Sequence, residues 1–89
     1  MLGSKEFIEQ SKQIVRDYAI AHLDKTDTVP PFDVFVVWYC KSLQNHKALL
    51  STTLTDGMYY EITYNGDKGE AYFDAYKKFE NKVVMKGDV

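Results

Sequence analysis

The chain has one cysteine, one tryptophan and two prolines among its 89 residues, and each shortage excludes something. A lone cysteine, Cys40, cannot close an internal disulfide, which rules out a disulfide-stapled framework and suits a reducing compartment. The prolines are adjacent, Pro30-Pro31, so no proline-rich linker runs through the chain. Long apolar runs are missing. The longest, residues 34–40, falls far short of the roughly 20 residues that a membrane helix needs. No basic segment followed by an apolar stretch opens the sequence, so secretion is not expected. Neither sign of charge dominates: 11 basic against 13 acidic residues give a net charge of −2. That balance argues against a protein built to neutralise phosphate backbones. Internal repeats, low-complexity tracts and charged arms are also absent.

What is present points to a folded domain. Apolar residues make up 45% of the chain, aromatic residues 15% and charged residues 27%, values outside the range of disordered sequences. A chain of this size forms one domain and buries only about 60–65% of the surface its unfolded form exposes. Its thin core must therefore lean on the seven tyrosines and five phenylalanines. The expectation is a single cytoplasmic domain over residues 1–89, with an ordered core from about 4 to 83.

Residues 4 to about 23 read as a helix. Ser4 is placed to cap the free amides and Glu6 to complement the macrodipole. Phe7, Ile8, Ser11, Ile14, Val15, Tyr18 and Ala21 or His22 fall on one face. Residues 24–33 break the pattern, and Pro30-Pro31 forbids its continuation, so this stretch reads as a loop. Residues 34–43 carry the strongest strand signal, dense in Val, Phe, Trp and Tyr. Two-residue turns at Asn45-His46 and Asp56-Gly57 then define a meander over about 34–43, 47–54 and 58–65. Beyond it, Tyr72, Tyr76, Phe79 and Val83 align on a helical wheel, and Asp67 with Glu70 resembles a capping box. The spacing predicts a second helix over 68–83. The expected fold is therefore α+β in the order α-β-β-β-α, a three-stranded antiparallel sheet with two helices on one face, with a fourth strand in place of the second helix as the alternative.

These turns assign the two sheet faces. One collects Val34, Val36, Trp38, Cys40, Leu49, Ser51, Thr53, Tyr60, Ile62 and Tyr64 and is expected to be the core beneath the helices, with Cys40 a small buried hydrophobe. The other collects Phe35, Val37, Tyr39, Lys41, Leu43, Ala48, Leu50, Thr52, Leu54, Tyr59, Glu61 and Thr63. It is too apolar for a plain solvent face, and such a patch marks a contact surface, unless Phe32 and the loop over 24–33, or the C-terminal tail, fold across it. Phe35, Val37, Tyr39, Leu54 and Tyr59 are the candidate interaction residues.

Catalytic chemistry finds little to work with. Cys40 reads as mid-strand and His46 as lying at a hairpin tip, too far apart for a nucleophile–base pair. His22 and His46 lack the spacing of a zinc site. Asp24, Thr26, Asp27 and Asp33 share a loop that lacks the ligand alternation of a calcium site. Gly66-Asp67-Lys68-Gly69 matches neither phosphate-loop pattern, and Asp67 would repel phosphate. No catalytic residue, cofactor or metal ligand is expected. The predicted element order is that of double-stranded-RNA-binding domains, yet the start of the second helix carries Asp67, Glu70 and Asp74 against Lys68 instead of a lysine cluster. Stacking of single strands on Tyr39 and Tyr59 would lack surrounding Lys and Arg. Nucleic acid is thus a secondary alternative to a protein partner.

Two strings carry a resemblance: W-x-C-K-x-L-Q-N beginning at Trp38, and Y-Y-E-I-T-Y-N-G-D beginning at Tyr59. With Lys47-Ala48-Leu49-Leu50-Ser51-Thr52-Thr53 between them and Tyr72, Asp74-Ala75-Tyr76-Lys77-Lys78-Phe79-Glu80-Asn81 after them, the region over 33–81 resembles small uncharacterised proteins of phages and prophages of Gram-positive bacteria such as lactic-acid bacteria. The resemblance implies a phage or prophage origin and a host-cytoplasmic setting, and brings no activity, ligand or catalytic residue. The expected function is that of a non-enzymatic accessory protein acting by homodimerisation or by contact with a host or phage protein.

Overall fold

The computed structural model describes residues 2–23, 31–80 and 82. They form helix α1 (Ser4–Ala21) followed by strands β1 (Val34–Ser42), β2 (Asn45–Thr52), β3 (Met58–Asn65) and β4 (Glu70–Lys77). The strands make one antiparallel sheet in the order β1-β2-β3-β4. The α+β class holds, while the second helix is replaced by the fourth strand. Most of the loop read over 24–33 and the end of the helix read over 68–83 lie outside the described residues.

α1 buries Phe7, Ser11, Val15 and Ala19, a row at four-residue spacing that meets β1 and β2. Ser11, Ala19 and Ala48 are small and buried, so backbone and sheet approach closely. Gly3, not Ser4, is the N-cap: its carbonyl accepts from the Phe7 amide at 2.9 Å. Ser4 is the first helical residue, and its hydroxyl is engaged by Tyr39 instead. At the other end His22 caps the helix, its Nδ1 donating to the Tyr18 carbonyl at 2.9 Å. Tyr18 carries the helix's reach to the far strands, with ring centroids 5.6 Å from Tyr60 and 4.9 Å from Phe73. Phe32 is buried on this same side beneath the Arg16 guanidinium, 5.0 Å from its ring, so it does not cover the other face.

The helical reading of 68–83 fails for a geometric reason. Tyr72 and Tyr76 are four apart, a spacing that keeps two residues on one side of a helix and of a strand alike. The turn decides between them. Asn65 Oδ1 accepts from the amides of Asp67 at 3.1 Å and Lys68 at 3.3 Å, and Gly69 takes φ +64°, which reverses the chain. Glu70 then pairs with Asn65, and every residue of β4 finds a partner on β3.

The first hairpin turns at Leu43-Gln44, two residues earlier than Asn45-His46, with Leu43 at φ 56°. Asn45 and His46 are thereby drawn into β2, where Asn45 Oδ1 accepts from the Gly66 amide at 2.9 Å. Gln44 Nε2 donates to Asp67 Oδ1 at 2.9 Å, so two hairpin tips are stitched together. The second connection is longer than the expected pair at Asp56-Gly57, since β2 ends at Thr52 and β3 begins at Met58.

Two departures from the expected register exchange residues between faces. Ala48 pairs with Ile62 and Leu50 with Tyr60, an odd offset from the pairing a tight Asp56-Gly57 turn would set. In β1 a bulge lies between Val36 and Trp38, so every residue after it changes side. Because the side-chain period is two, such slips move whole rows. Ala48, Leu50 and Thr52 are therefore buried under the helix with Val34, Tyr60 and Ile62, and Tyr39 joins them. Trp38, Cys40 and Leu49 go to the opposite face, where Cys40 is exposed and not the buried hydrophobe expected. Burying a side chain such as Leu50 or Ile62 contributes about 1.5–3 kcal/mol, so this inner register is the one the core selects.

Candidate functional site

The register sets out the outer face in rows. Phe35, Ser51, Tyr59 and Tyr76 run across the four strands as directly paired neighbours. The next row is Trp38, Leu49, Glu61 and Asp74, and the third is Cys40, Lys47, Thr63 and Tyr72. Among the described residues no helix lies on this face. Phe35 is 44% exposed, Trp38 41%, Tyr72 47% and Tyr76 50%. Val37, 45% exposed, sits in the bulge beside them.

Of the expected interaction residues, Phe35 and Tyr59 stand on this face and Val37 at its edge. Tyr39 does not: the bulge turns it inward, where its hydroxyl meets Ser4 Oγ at 2.8 Å and His46 Nδ1 at 2.6 Å. Leu54 lies in the β2–β3 connection, half-buried against the core. Trp38, Leu49, Tyr72 and Tyr76 are the members that sequence reasoning missed. The alternation Tyr72, Asp74, Tyr76 carried the signal for the β4 pair, whereas nothing in the local sequence announces the bulge that exposes Trp38.

The charges on this face are few and unevenly placed. Lys47 Nζ lies 3.5 Å from Glu61 Oε1, an exposed pair worth well under about 1 kcal/mol. Glu61 pairs directly with Asp74, two acids side by side, an arrangement that opposes strand pairing. At the rim the Tyr72 hydroxyl donates to the Glu70 carboxylate, and that bond holds the phenol above its ordinary ionisation range. Two shallow hollows flank the rows. One of about 620 Å³ is lined by Leu49, Tyr59, Tyr76 and Phe79, and one of about 360 Å³ by Trp38, Cys40, Lys47 and Thr63.

The residues considered for catalysis are not brought together. Cys40 pairs with Lys47 and His46 with Lys41, so alternation puts Cys40 outside and His46 inside the sheet. Gly66-Asp67-Lys68-Gly69 forms the β3–β4 turn and not the start of a helix. Asp24, Thr26 and Asp27 lie outside the described residues. Among those described, no three His, Cys, Asp or Glu side chains are grouped to hold a metal ion, and the helix is not long and apolar enough to cross a membrane.

Fold and face together define a small α+β protein whose sheet is packed by a helix on one side and, among the described residues, presents an uncovered face with several aromatic side chains on the other. The chain belongs to a family of unknown function, DUF6275, whose pattern matches residues 8–86. No curated protein and no solved structure matches it.

Proposed function

We propose that this chain is a non-enzymatic accessory protein that works by protein contact, through the outer face of its sheet. The observation that carries this reading is the exposure of Phe35 and Trp38 on β1 and of Tyr72 and Tyr76 on β4, all on the same face of the sheet. Water-facing patches of that kind on small proteins mark sites of association. Aromatic residues are also the side chains that dominate binding energy when a contact desolvates them. The partner is a second copy or a protein of the host or phage. The resemblance carried by the strings at Trp38 and Tyr59 supports a phage or prophage origin and action in the bacterial cytoplasm.

The nucleic-acid alternative draws less support. Its element order required a second helix, and β4 stands there instead. Tyr39 faces the helix and is lost as a stacking platform, and the tyrosines that remain outside are flanked by Glu61 and Asp74.

Replacing Phe35 with Lys and Trp38 with Asp tests the proposal. Both are exposed, so the far-UV circular dichroism should stay that of the parent while association is lost. Retention of every association by the double variant would sink the reading.

A further inference from the structure

Resting on that reading, we infer that the occupant of the outer face is a second copy of this chain, seated face to face about a two-fold axis that runs along the strands. The face is unequal in its two halves. The β1–β2 half carries Phe35, Trp38 and Leu49 with one cation, Lys47, whereas the β3–β4 half carries Tyr59, Tyr72 and Tyr76 with three acids, Glu61, Asp74 and, at the rim, Glu70. A self-complementary interface must place a patch against its own image. An axis across the strands lays the acidic half of one copy on the acidic half of the other. An axis along the strands lays each acidic half on the half of its mate that carries Lys47. Like charges set against each other at an interface oppose association, so charge selects the second arrangement.

Shape agrees with charge. With the axis along the strands, β1 of one copy lies over β4 of the other and β2 over β3, row upon row. Tyr59 then projects over the small Ser51 of the second copy, whose hydroxyl is already spent on the Met58 carbonyl at 2.8 Å. Phe35 meets Tyr76 of the second copy, Leu49 its Glu61 and Trp38 its Asp74, which Lys47 of the first copy can approach from the neighbouring row. Aligned sheets pack in this way about 10 Å apart with interleaved side chains.

The area suffices. Four strands at about 4.8 Å spacing and eight residues at about 3.3 Å rise span a surface of roughly 500 Å². Two such faces remove about 1,000 Å² even when treated as flat, the size at which specific interfaces begin.

The test is photo-cross-linking of the full chain with p-benzoyl-phenylalanine incorporated in place of Phe35, both purified and in the producing cells. The expected product has twice the chain mass, with the new bond in the β4 segment around Tyr76 of the second copy. A bond to β1 of the second copy overturns the axis. A bond to a different protein overturns the second copy as occupant and leaves the contact-face reading standing. A bond only within one chain, or none, overturns both. Asp74→Lys supplies an independent check: it removes the repulsion with Glu61, so the single chain keeps its stability, yet it should weaken self-association at least tenfold. Unchanged self-association in that variant contradicts the inferred charge pairing.

Discussion

Tyr39 and His46 are joined beneath the sheet, the phenol hydroxyl 2.6 Å from Nδ1 of an imidazole that is 1% exposed. The other ring nitrogen, Nε2, lies 2.9 Å from the Leu2 carbonyl. A carbonyl only accepts, so Nε2 carries a proton, and the Tyr39 hydroxyl bridges Nδ1 and Ser4 Oγ. Phe7 stacks on the imidazole at 5.0 Å. This small network fastens the segment before α1 to β1 and β2, and it gives both nitrogens of the buried imidazole a partner. Tyr39→Phe leaves the buried Nδ1 without its partner and should cost about 1–2 kcal/mol. His46→Ala, which also removes the stacked ring, should cost about 2–4 kcal/mol. Urea unfolding of the two variants checks both; a Tyr39→Phe midpoint equal to that of the parent would show the bond to be idle.

Ser11 presents the opposite case. It is buried between helix and sheet, and its hydroxyl oxygen has no hydrogen-bond partner among the described residues. Ser11→Ala removes an unsatisfied polar group and adds a stronger helix former, so stability should rise by about 1 kcal/mol. A loss of stability on thermal unfolding would mean that the hydroxyl is satisfied.

The β3–β4 turn separates two glycines by mechanism. Gly69 has φ +64° with open space around it, so Gly69→Ala should cost only the left-handed penalty, about 1–2 kcal/mol. At Gly66 an added methyl would run into the backbone carbonyl of Gln44 at the neighbouring hairpin tip. Gly66→Ala should therefore cost more than Gly69→Ala and loosen the bond between Asn45 and the Gly66 amide. Equal losses in chemical denaturation would contradict the stitching of the two tips.

Burial, aided by the nearby Asp56 and Tyr18, raises the ionisation of Tyr60 above that of a free phenol. The unfolded chain then loses this proton first, near the ordinary value of about 10. Above that pH the folded state holds more protons, so stability is full below about pH 10 and falls as pH rises through the raised folded value. Comparison of urea midpoints from pH 8 to 11 should show a shallower alkaline fall in Tyr60→Phe than in the parent. Identical slopes would remove Tyr60 as the cause.

Much of the fold was legible because its signals are local. The row Phe7, Ser11, Val15 has helical spacing, and β1 to β3 are dense in branched and aromatic residues. The four-residue interval between Tyr72 and Tyr76 satisfies both periodicities, so β4 was settled only by the turn at Gly69. The face of each residue depends on counting from the turns, and a count by two is lost with a single inserted residue. Leu43 illustrates the difficulty: a leucine at φ 56° is a poor turn former. The turn it forms frees Asn45 and His46 to join β2, where Asn45 takes the Gly66 amide and His46 is buried. Phe35 and Tyr59 were found as face residues because Phe35 precedes the bulge and Tyr59 faces outward in either register. Tyr39 and Leu54 were misplaced because one follows the bulge and the other falls in a connection longer than its Asp56-Gly57 signal implied.

The most direct test of the central claim, that the outer face is where this chain meets a second copy, is the solution mass by light scattering across dilution. The parent protein should show twice the chain mass at high concentration and approach a single chain as it is diluted. Phe35→Lys with Trp38→Asp should stay a single chain throughout, with unaltered circular dichroism. A parent that is a single chain at every concentration, or a double variant that keeps the doubled mass, would contradict it.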